Sequence, residues 1–497
     1  MHLTGFLSGL MAVNHPVNAP KKLINNVETV VPDFIDGLLL TDSRLWRIGS
    51  LQAVAIASHL TSTYTNVRII SGGGSGHEPA HAGFIGEGML SAAALGNVFA
   101  SPSVATILAA LRVCANPKGI LLVVKNYTGD RINFGMAVER ARGEGISVRM
   151  LIVDDDCALA KEKGITGGRG IAGTVLIHKI VGAAAAKGLS LEEVYSVGAE
   201  AVRRLRSMGV ALSTCTLPGS ARSSRLDGPL MEVGLGIHGE QGREQVEFPE
   251  TGGARLVASI LVSAVAESIK PKDEPVALLL NNLGSTPAIE LMIVAKEVLA
   301  ELSKRGVETV RIFIGPFMTA LDMSGVSLSL LPVNAELLAL LDAPTSAPHW
   351  HPSLLDKSTV STYQIPYVDR AVLVRGGRQS KTAYEVVRAV CERLVAMEPI
   401  LTEMDQVCGD GDCGLVLKAG ASRILADLAS MKETTSDKNV IVDDSATFCS
   451  LLADSISSSM GGTSGGLLEL MCRAMATHHA ALVLPLYFWY APLIIRF

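Results

Sequence analysis

The sequence predicts an α/β amino-terminal half of two subdomains, followed by an all-α carboxyl-terminal part. Three observations predict it. From Val67 onward, short β-branched runs alternate with glycine-bearing loops and stretches of helical period, which is the pattern of βαβ units. After about residue 381 the strand-like runs stop and only helix-like segments follow. At 497 residues the chain is longer than one hydrophobic core sustains, so the two patterns belong to separate domains.

Taken in order, residues 67–71 (VRIIS) run into Gly72 to Pro79, residues 119–125 (GILLVVK) into Asn126 to Asp130, and residues 148–153 (VRMLIV) into Asp154 to Asp156. Ligands of open parallel sheets bind beyond the carboxyl ends of the strands, so these three polar loops are expected around one site. A second set follows at 276–280 (VALLL), before Asn281 to Gly284, and at 310–314 (VRIFI), before Gly315 and Pro316. The expected divisions are an extension at 1–20, subdomains at about 21–195 and 196–343, and a Pro-, Ser- and His-rich linker at 344–381. A helical domain is expected at 382–481, with helices near 383–395, 415–431 and 446–460, and an apolar tail at 482–497.

Composition narrows the function. Forty-three basic against 48 acidic residues give a net charge of −5, without a basic cluster to meet nucleic acid. The cysteines at 114, 157, 215, 391, 408, 413, 449 and 472 form no Cys-x-x-Cys pair and read as reduced thiols of a cytoplasmic protein. The first twenty residues lack the basic and apolar regions of a signal peptide. Residues 480–495 are uncharged, but Pro485 and Pro492 interrupt a stretch already shorter than the ~20 residues of a membrane span, so no span is expected.

Five segments could carry chemistry. Gly72-Gly73-Gly74-Ser75-Gly76-His77-Glu78-Pro79 sets glycines, a hydroxyl and an imidazole after a buried strand, where backbone N–H groups approach a polyol or phosphate and a following helix would add donors. A tight turn with a capping histidine is the alternative. Lys125-Asn126-Tyr127-Thr128-Gly129-Asp130 gathers an ammonium, an amide, a phenol and a carboxylate at a strand-to-helix junction, although Asp130 could simply cap the helix. Gly234-Leu235-Gly236-Ile237-His238-Gly239-Glu240 frames His238 with glycines, giving an accessible nucleophilic ring if the loop faces a cleft and a structural histidine otherwise. Asp405, Asp410 and Asp412 crowd three carboxylates into eight residues among glycines; this suits Mg²⁺ without matching an EF-hand, and a solvated acidic turn is the competing reading. Residues 457–466 (SSSMGGTSGG) end one helix and open another, offering N–H groups and hydroxyls to a phosphate without the lysine of a P-loop.

Together and in this order, GGGSGHEPAHAGFIGEGML, VKNYTGDRINFGMA, GTVLIHK, GLGIHGE and GDGDCG resemble the dihydroxyacetone kinase family, of the two-domain, ATP-dependent triokinase/FMN cyclase type, across about residues 21–481. The resemblance implies that His238 adds covalently to the carbonyl of dihydroxyacetone or glyceraldehyde. It implies that Asp130 takes the proton of the attacking hydroxyl, that His77 hydrogen-bonds the substrate, and that Gly74 and Lys125 line the sugar pocket. In the helical half it implies that Asp405, Asp410 and Asp412 hold two Mg²⁺ ions on the ATP phosphates, contacted also by Gly461, Gly462, Thr463 and Ser464. A cytoplasmic homodimer is implied as well. An FAD-cleaving activity that forms cyclic FMN on the same metal site, served by Mn²⁺ or Co²⁺, and a ketone-binding module without catalysis are the alternatives. The family's later Gly-Asp-Arg-Thr and Asp-Pro-Gly-Ala segments do not occur in this chain, which implies an incomplete helical barrel and weakened ATP binding.

Overall fold

Strands form where the β-branched runs stand, and they assemble into two six-stranded sheets. The computed structural model describes residues 20–158, 167–269, 274–353, 378–433 and 445–481. The expected extension, save residue 20, and the apolar tail lie outside the described residues, as does 354–377 of the expected linker. The chain divides into two units, residues 1–360 and 361–497.

In the first unit, helix α1 (Val30–Thr41) precedes β1 (Leu45–Arg47), β2 (Ala53–Ile56), β3 (Arg68–Ser75) and β4 (Ala92–Val98). Then come α2 (Val104–Val113), β5 (Ile120–Lys125), α3 (Thr128–Gly143) and β6 (Val148–Val153). The strand order is β1-β2-β4-β3-β5-β6. The last four of these are mutually parallel, so β3, β4, β5 and β6 present their carboxyl ends along one edge. All eight residues of β3 are buried. Its glycines belong to the strand, not to a loop after it as the sequence suggests, because a Cβ at Gly72 would overlap the Ala94 carbonyl of β4. Nor does the expected helix follow them; only a single 3₁₀ turn, Ala82–Phe84, comes before β4.

Helices α4 (Thr174–Ala186) and α5 (Leu191–Arg204) lead to the second sheet. It contains β7 (Arg206–Ala211), β8 (Leu230–Val233) and β9 (Glu244–Glu247), then α6 (Gly253–Ile269), β10 (Val276–Asn282), α7 (Ala288–Lys304), β11 (Thr309–Gly315) and β12 (Gly325–Pro332), closed by α8 (Ala335–Asp342). Its order is β11-β10-β12-β7-β8-β9. Only β10 and β11 pair in parallel, across the α7 crossover; the other pairs are antiparallel, a departure from uniform βαβ grammar.

Residues of both sheets share one core, which includes Ile69, Leu121 and Val153 from the first and Leu279, Phe313 and Leu331 from the second. Helix α4 is buried along nearly its whole length and contributes Val175, Leu176 and Ile180 to that core. Burying such a side chain is worth about 1.5–3 kcal/mol. The boundary expected at 195/196 falls inside α5, a helix opened by a reciprocal Ser190–Glu193 capping box, and the sheets divide after that helix. Residues 344–353, placed in the linker by composition, pack on this unit instead: Trp350 is buried against Phe313, with ring centroids 4.6 Å apart.

The second unit is helical over its described residues: α9 (Arg378–Cys408), α10 (Cys413–Glu433), α11 (Ser445–Ser459) and α12 (Gly462–Ala481). Cys391, Ile424, Leu428, Ala453 and Ile456 share its core. Val386, Val390, Met404, Leu467 and Leu470 are exposed.

Candidate active site

The carboxyl edge of the first sheet gathers the predicted loops. Lys125 ends β5 and is almost wholly buried, and Asp130, also buried, sits in the first turn of α3. Asp130 is not the helix cap, since Tyr127 holds that position. One Asp130 oxygen, Oδ1, accepts from the Ser101 hydroxyl just beyond β4, and Oδ2 stands 4.0 Å from the Lys125 ammonium. The Lys125 ammonium donates to His81 Nε2 at 2.8 Å. Burial lowers the Lys125 pKa, while Asp130 and Asp155 pull it back up. Gly73 makes room for this group, because a Cβ there would overlap Lys125 Nζ. Gly74 packs its α-carbon on the backbone of Phe99 and Ala100, so its role here is close approach of two chain segments.

His77 follows β3 and is wholly buried. Its Nδ1 meets the Thr319 carbonyl at 2.8 Å, and a carbonyl can only accept, so Nδ1 carries the proton. Nε2 is then a bare acceptor, buried without a protein partner. Burial, reinforced by the charges of His238 and Lys125, holds the His77 pKa well below 6.5, so the ring is neutral.

His238 enters from the β8–β9 connection of the second sheet. Its ring is less open than the flanking glycines suggest: it stands edge-on to His77, Phe99 and Tyr127, at centroid distances of 4.9, 5.2 and 4.7 Å, and its side chain is 20% exposed. Glu240 Oε1 lies 2.6 Å from Nδ1, and Glu240 Oε2 accepts the His238 backbone N–H at 3.0 Å. Burial alone would raise the Glu240 carboxyl, but the His238 hydrogen bond and charge outweigh it and bring it to about 2. An ionised carboxylate only accepts, so His238 Nδ1 carries a proton, and in the neutral ring Nε2 keeps its lone pair. Gly236 leaves room beside it, since a Cβ there would displace the Glu240 carboxylate. Arg169 ties the loop down, donating to the Gly234 carbonyl at 2.7 Å and to Asp156 at 2.7 Å.

In the helical unit, Asp405 lies on the last turns of α9, and Asp410 and Asp412 in the turn before α10. One oxygen from each falls within 4.8 Å of the others. A Cβ at Gly409 would overlap the Asp405 carboxylate, so the glycine permits the approach. The charge of Asp410 raises the Asp412 pKa, the sign of a cluster whose charge a cation would relieve. Hard, closely spaced oxygens of this kind fit a divalent cation such as Mg²⁺. Gly461 precedes α12, and Gly462, Thr463 and Ser464 form the exposed first turn of that helix, where the leading N–H groups have no acceptor within the helix and can meet an anion. Met460, just before them, packs on Gly420, two turns along α10 from Asp412. A separate cavity of about 1080 Å³ beside Arg311, Asp342 and Trp350 contains none of these residues.

The Dak1 domain matches residues 36–349 of the chain. The chain belongs to the dihydroxyacetone kinase family. It is 39% identical over 469 residues to the triokinase/FMN cyclase of Mus musculus, covering 92% of this chain and 79% of that protein. It is 41% identical over 475 residues to a Solanum lycopersicum protein named provisionally as a 3,4-dihydroxy-2-butanone kinase, covering 91% and 78%. Among solved structures, the dihydroxyacetone kinase of C. freundii in complex with AMP-PNP and Mg²⁺ aligns with a TM-score of 0.69 and 34% identity, over 93% of this chain and 84% of that one. The described residues match the two-part plan of the family, an α/β half followed by helices.

Several residues that shape the site carry no local signal in the sequence. Glu240 was visible only as the end of a glycine motif, two residues from His238. Phe99 and Ser101 come from the β4–α2 connection, and Thr319, Arg169 and His81 from three other segments, and only the folded chain brings them to the catalytic candidates.

Proposed function

We propose that this protein phosphorylates dihydroxyacetone, and glyceraldehyde as a second triose, with ATP and Mg²⁺, and that it holds the triose covalently on His238. The observation that carries this reading is the meeting of an imidazole with a free Nε2, His238, and a second imidazole with an unpartnered buried Nε2, His77, in the α/β unit that also buries Asp130 beside Lys125. His238 Nε2 adds to the carbonyl carbon; a C–N bond forms and the C=O π electrons move to oxygen. Glu240 stabilises the positive charge that develops on the ring, and loss of the Nδ1 proton with gain of one on oxygen completes a neutral hemiaminal. The His77 Nε2 accepts a hydrogen bond from a substrate hydroxyl. Asp130 accepts the proton of the terminal hydroxyl as its oxygen attacks the γ-phosphorus and ADP departs, while Lys125 offers positive charge nearby.

Asp405, Asp410 and Asp412 would hold the Mg²⁺, which offsets charge on the transferring phosphoryl group. The first turn of α12, with Gly461, Gly462, Thr463 and Ser464, would donate to phosphate oxygens. The relatives named as kinases of small hydroxyketones, and the AMP-PNP and Mg²⁺ of the C. freundii enzyme, support this assignment. Native mass spectrometry of the full chain with dihydroxyacetone tests the covalent step. A mass increase of one triose in the wild type, absent from His238→Ala, is expected; an equal increase in both would refute attachment at His238.

A further inference from the structure

Behind Lys125 lies a buried chain of polar groups that none of the proposed steps uses. His81 Nε2 contacts Lys125 Nζ at 2.8 Å, and His81 Nδ1 lies 3.2 Å from the Ser71 hydroxyl. Ser71 Oγ also lies 2.9 Å from the Val123 carbonyl and 3.1 Å from His178 Nε2. Ser71, His81, Lys125 and His178 are each about 1% exposed or less.

Donor and acceptor counting fixes every proton in the chain. The Lys125 ammonium has only donors, so His81 Nε2 accepts and its proton sits on Nδ1. The Val123 carbonyl can only accept, so the single Ser71 proton goes there, and the Ser71 oxygen receives Nδ1–H of His81 and Nε2–H of His178. His178 Nδ1 is then a bare acceptor, which agrees with its lack of any partner. Burial keeps both imidazoles neutral, with His178 pushed down to about 3.

We propose that His81 is a positioning residue for the reaction: it holds the Lys125 ammonium at 4.0 Å from Asp130 instead of in contact, while Ser71 and His178 fix the imidazole tautomer that this requires. This inference rests on the reading of Asp130 as the base. Among the described residues, Lys125 Nζ hydrogen-bonds His81, and the nearest carboxylate oxygen is Asp130 Oδ2. Without His81, a buried ammonium closes on that oxygen, and a carboxylate in a contact ion pair is a weaker base. The charged and titratable groups that face the pair are Asp155 from the end of β6, His77 from the turn after β3, His81 itself and His178 from α4.

The test compares wild type, His81→Ala, His81→Gln, Ser71→Ala and Asp130→Asn as full chains, measuring ATP-dependent phosphorylation of dihydroxyacetone from pH 5 to 9. His81→Ala is expected to lose roughly 10- to 10²-fold in kcat with KM changed by less than about threefold, and its acid limb should move down by roughly one pH unit. His81→Gln retains an acceptor for Lys125 and should recover most of kcat; Ser71→Ala should shift the acid limb in the same direction by less. A wild-type pH profile in folded His81→Ala, with Asp130→Asn inactive, overturns this inference alone. Wild-type turnover by Asp130→Asn overturns both this inference and the assignment of the base. A readout independent of turnover is ¹⁵N NMR of the histidine-labelled chain, with His81 assigned by its loss in His81→Gln. A neutral Nδ1–H tautomer is expected, and an Nε2–H tautomer contradicts the proposal.

Discussion

Glu240 accepts the Nδ1–H of His238 at 2.6 Å with one oxygen and the His238 backbone N–H at 3.0 Å with the other, so one carboxylate sets both the tautomer and the position of the ring. Glu240→Gln removes the charge and lets the tautomer reverse. Turnover of triose by this variant should fall by roughly 10²–10⁴-fold in kcat, as when the orienting carboxylate of a catalytic histidine is neutralised. Unchanged kcat in Glu240→Gln would show that the carboxylate does not orient His238 for catalysis.

Acid sensitivity should begin near pH 6.5. His77, His81 and His178 are buried, and burial lowers all three pKa values in the folded chain. Below 6.5 the unfolded chain takes up protons that the folded chain does not. Their stabilisation is therefore complete above about pH 6.5 and is lost as pH falls, at about 1.4 kcal/mol per pH unit for each imidazole. Thermal midpoints of the wild type and of His178→Gln, followed from pH 7.5 to 5, should converge as pH falls. Parallel curves would mean that His178 becomes protonated in the folded state.

Gly72 and Gly73 are adjacent in β3 yet should fail differently. A Cβ at Gly73 points at Lys125 Nζ, with His81 Nε2 at 3.5 Å and Asp130 Oδ2 at 3.7 Å, so Gly73→Ala displaces the ammonium. A Cβ at Gly72 meets the Ala94 carbonyl, which is backbone and cannot move aside. Gly73→Ala should lose roughly 10²-fold in kcat/KM, a loss of the size that misplacing a catalytic group brings, and with φ at +158° it should also lose some thermal stability, less than Gly72→Ala. Gly72→Ala should lower the thermal midpoint. Calorimetry and steady-state kinetics on the two variants separate these outcomes.

The carboxylate cluster predicts a metal-dependent stability of the helical unit. Mg²⁺ at a hundred times its dissociation constant should stabilise that unit by about 2.7 kcal/mol. The effect should vanish in Asp410→Ala, where one of the three donors within 4.8 Å is gone. An equal shift in the variant, followed by circular dichroism, would place the ion elsewhere.

The legible parts of the sequence were those in which local pattern and tertiary structure agree. Residues 148–153 and 276–280 are legible as strands because their apolar runs fill a half-buried and a buried strand, and Lys125 and Asp130 are legible as site candidates because a strand-to-helix junction has a sequence signature. Gly72 to Gly74 misled because glycine density signals a turn, whereas here the missing Cβ atoms let β3 pack against the β4 backbone and the Phe99–Ala100 segment and leave room for Lys125. Residues 344–353 misled because their composition is that of a linker, while Trp350 finds its cover on Phe313, far away in sequence. His81 and Thr319 were illegible because their partners, Lys125 and His77, lie 44 and 242 residues away.

Capture of a ketone on His238 followed by metal-assisted phosphorylation should show as ADP release from ATP and Mg²⁺ on addition of dihydroxyacetone to the full chain. His238→Ala and Asp410→Ala serve as controls. Triose-dependent turnover is expected in the wild type and should be lost in both variants. Triose-dependent turnover that survives His238→Ala undiminished, or a wild-type chain that binds the ketone and releases no ADP, would contradict it.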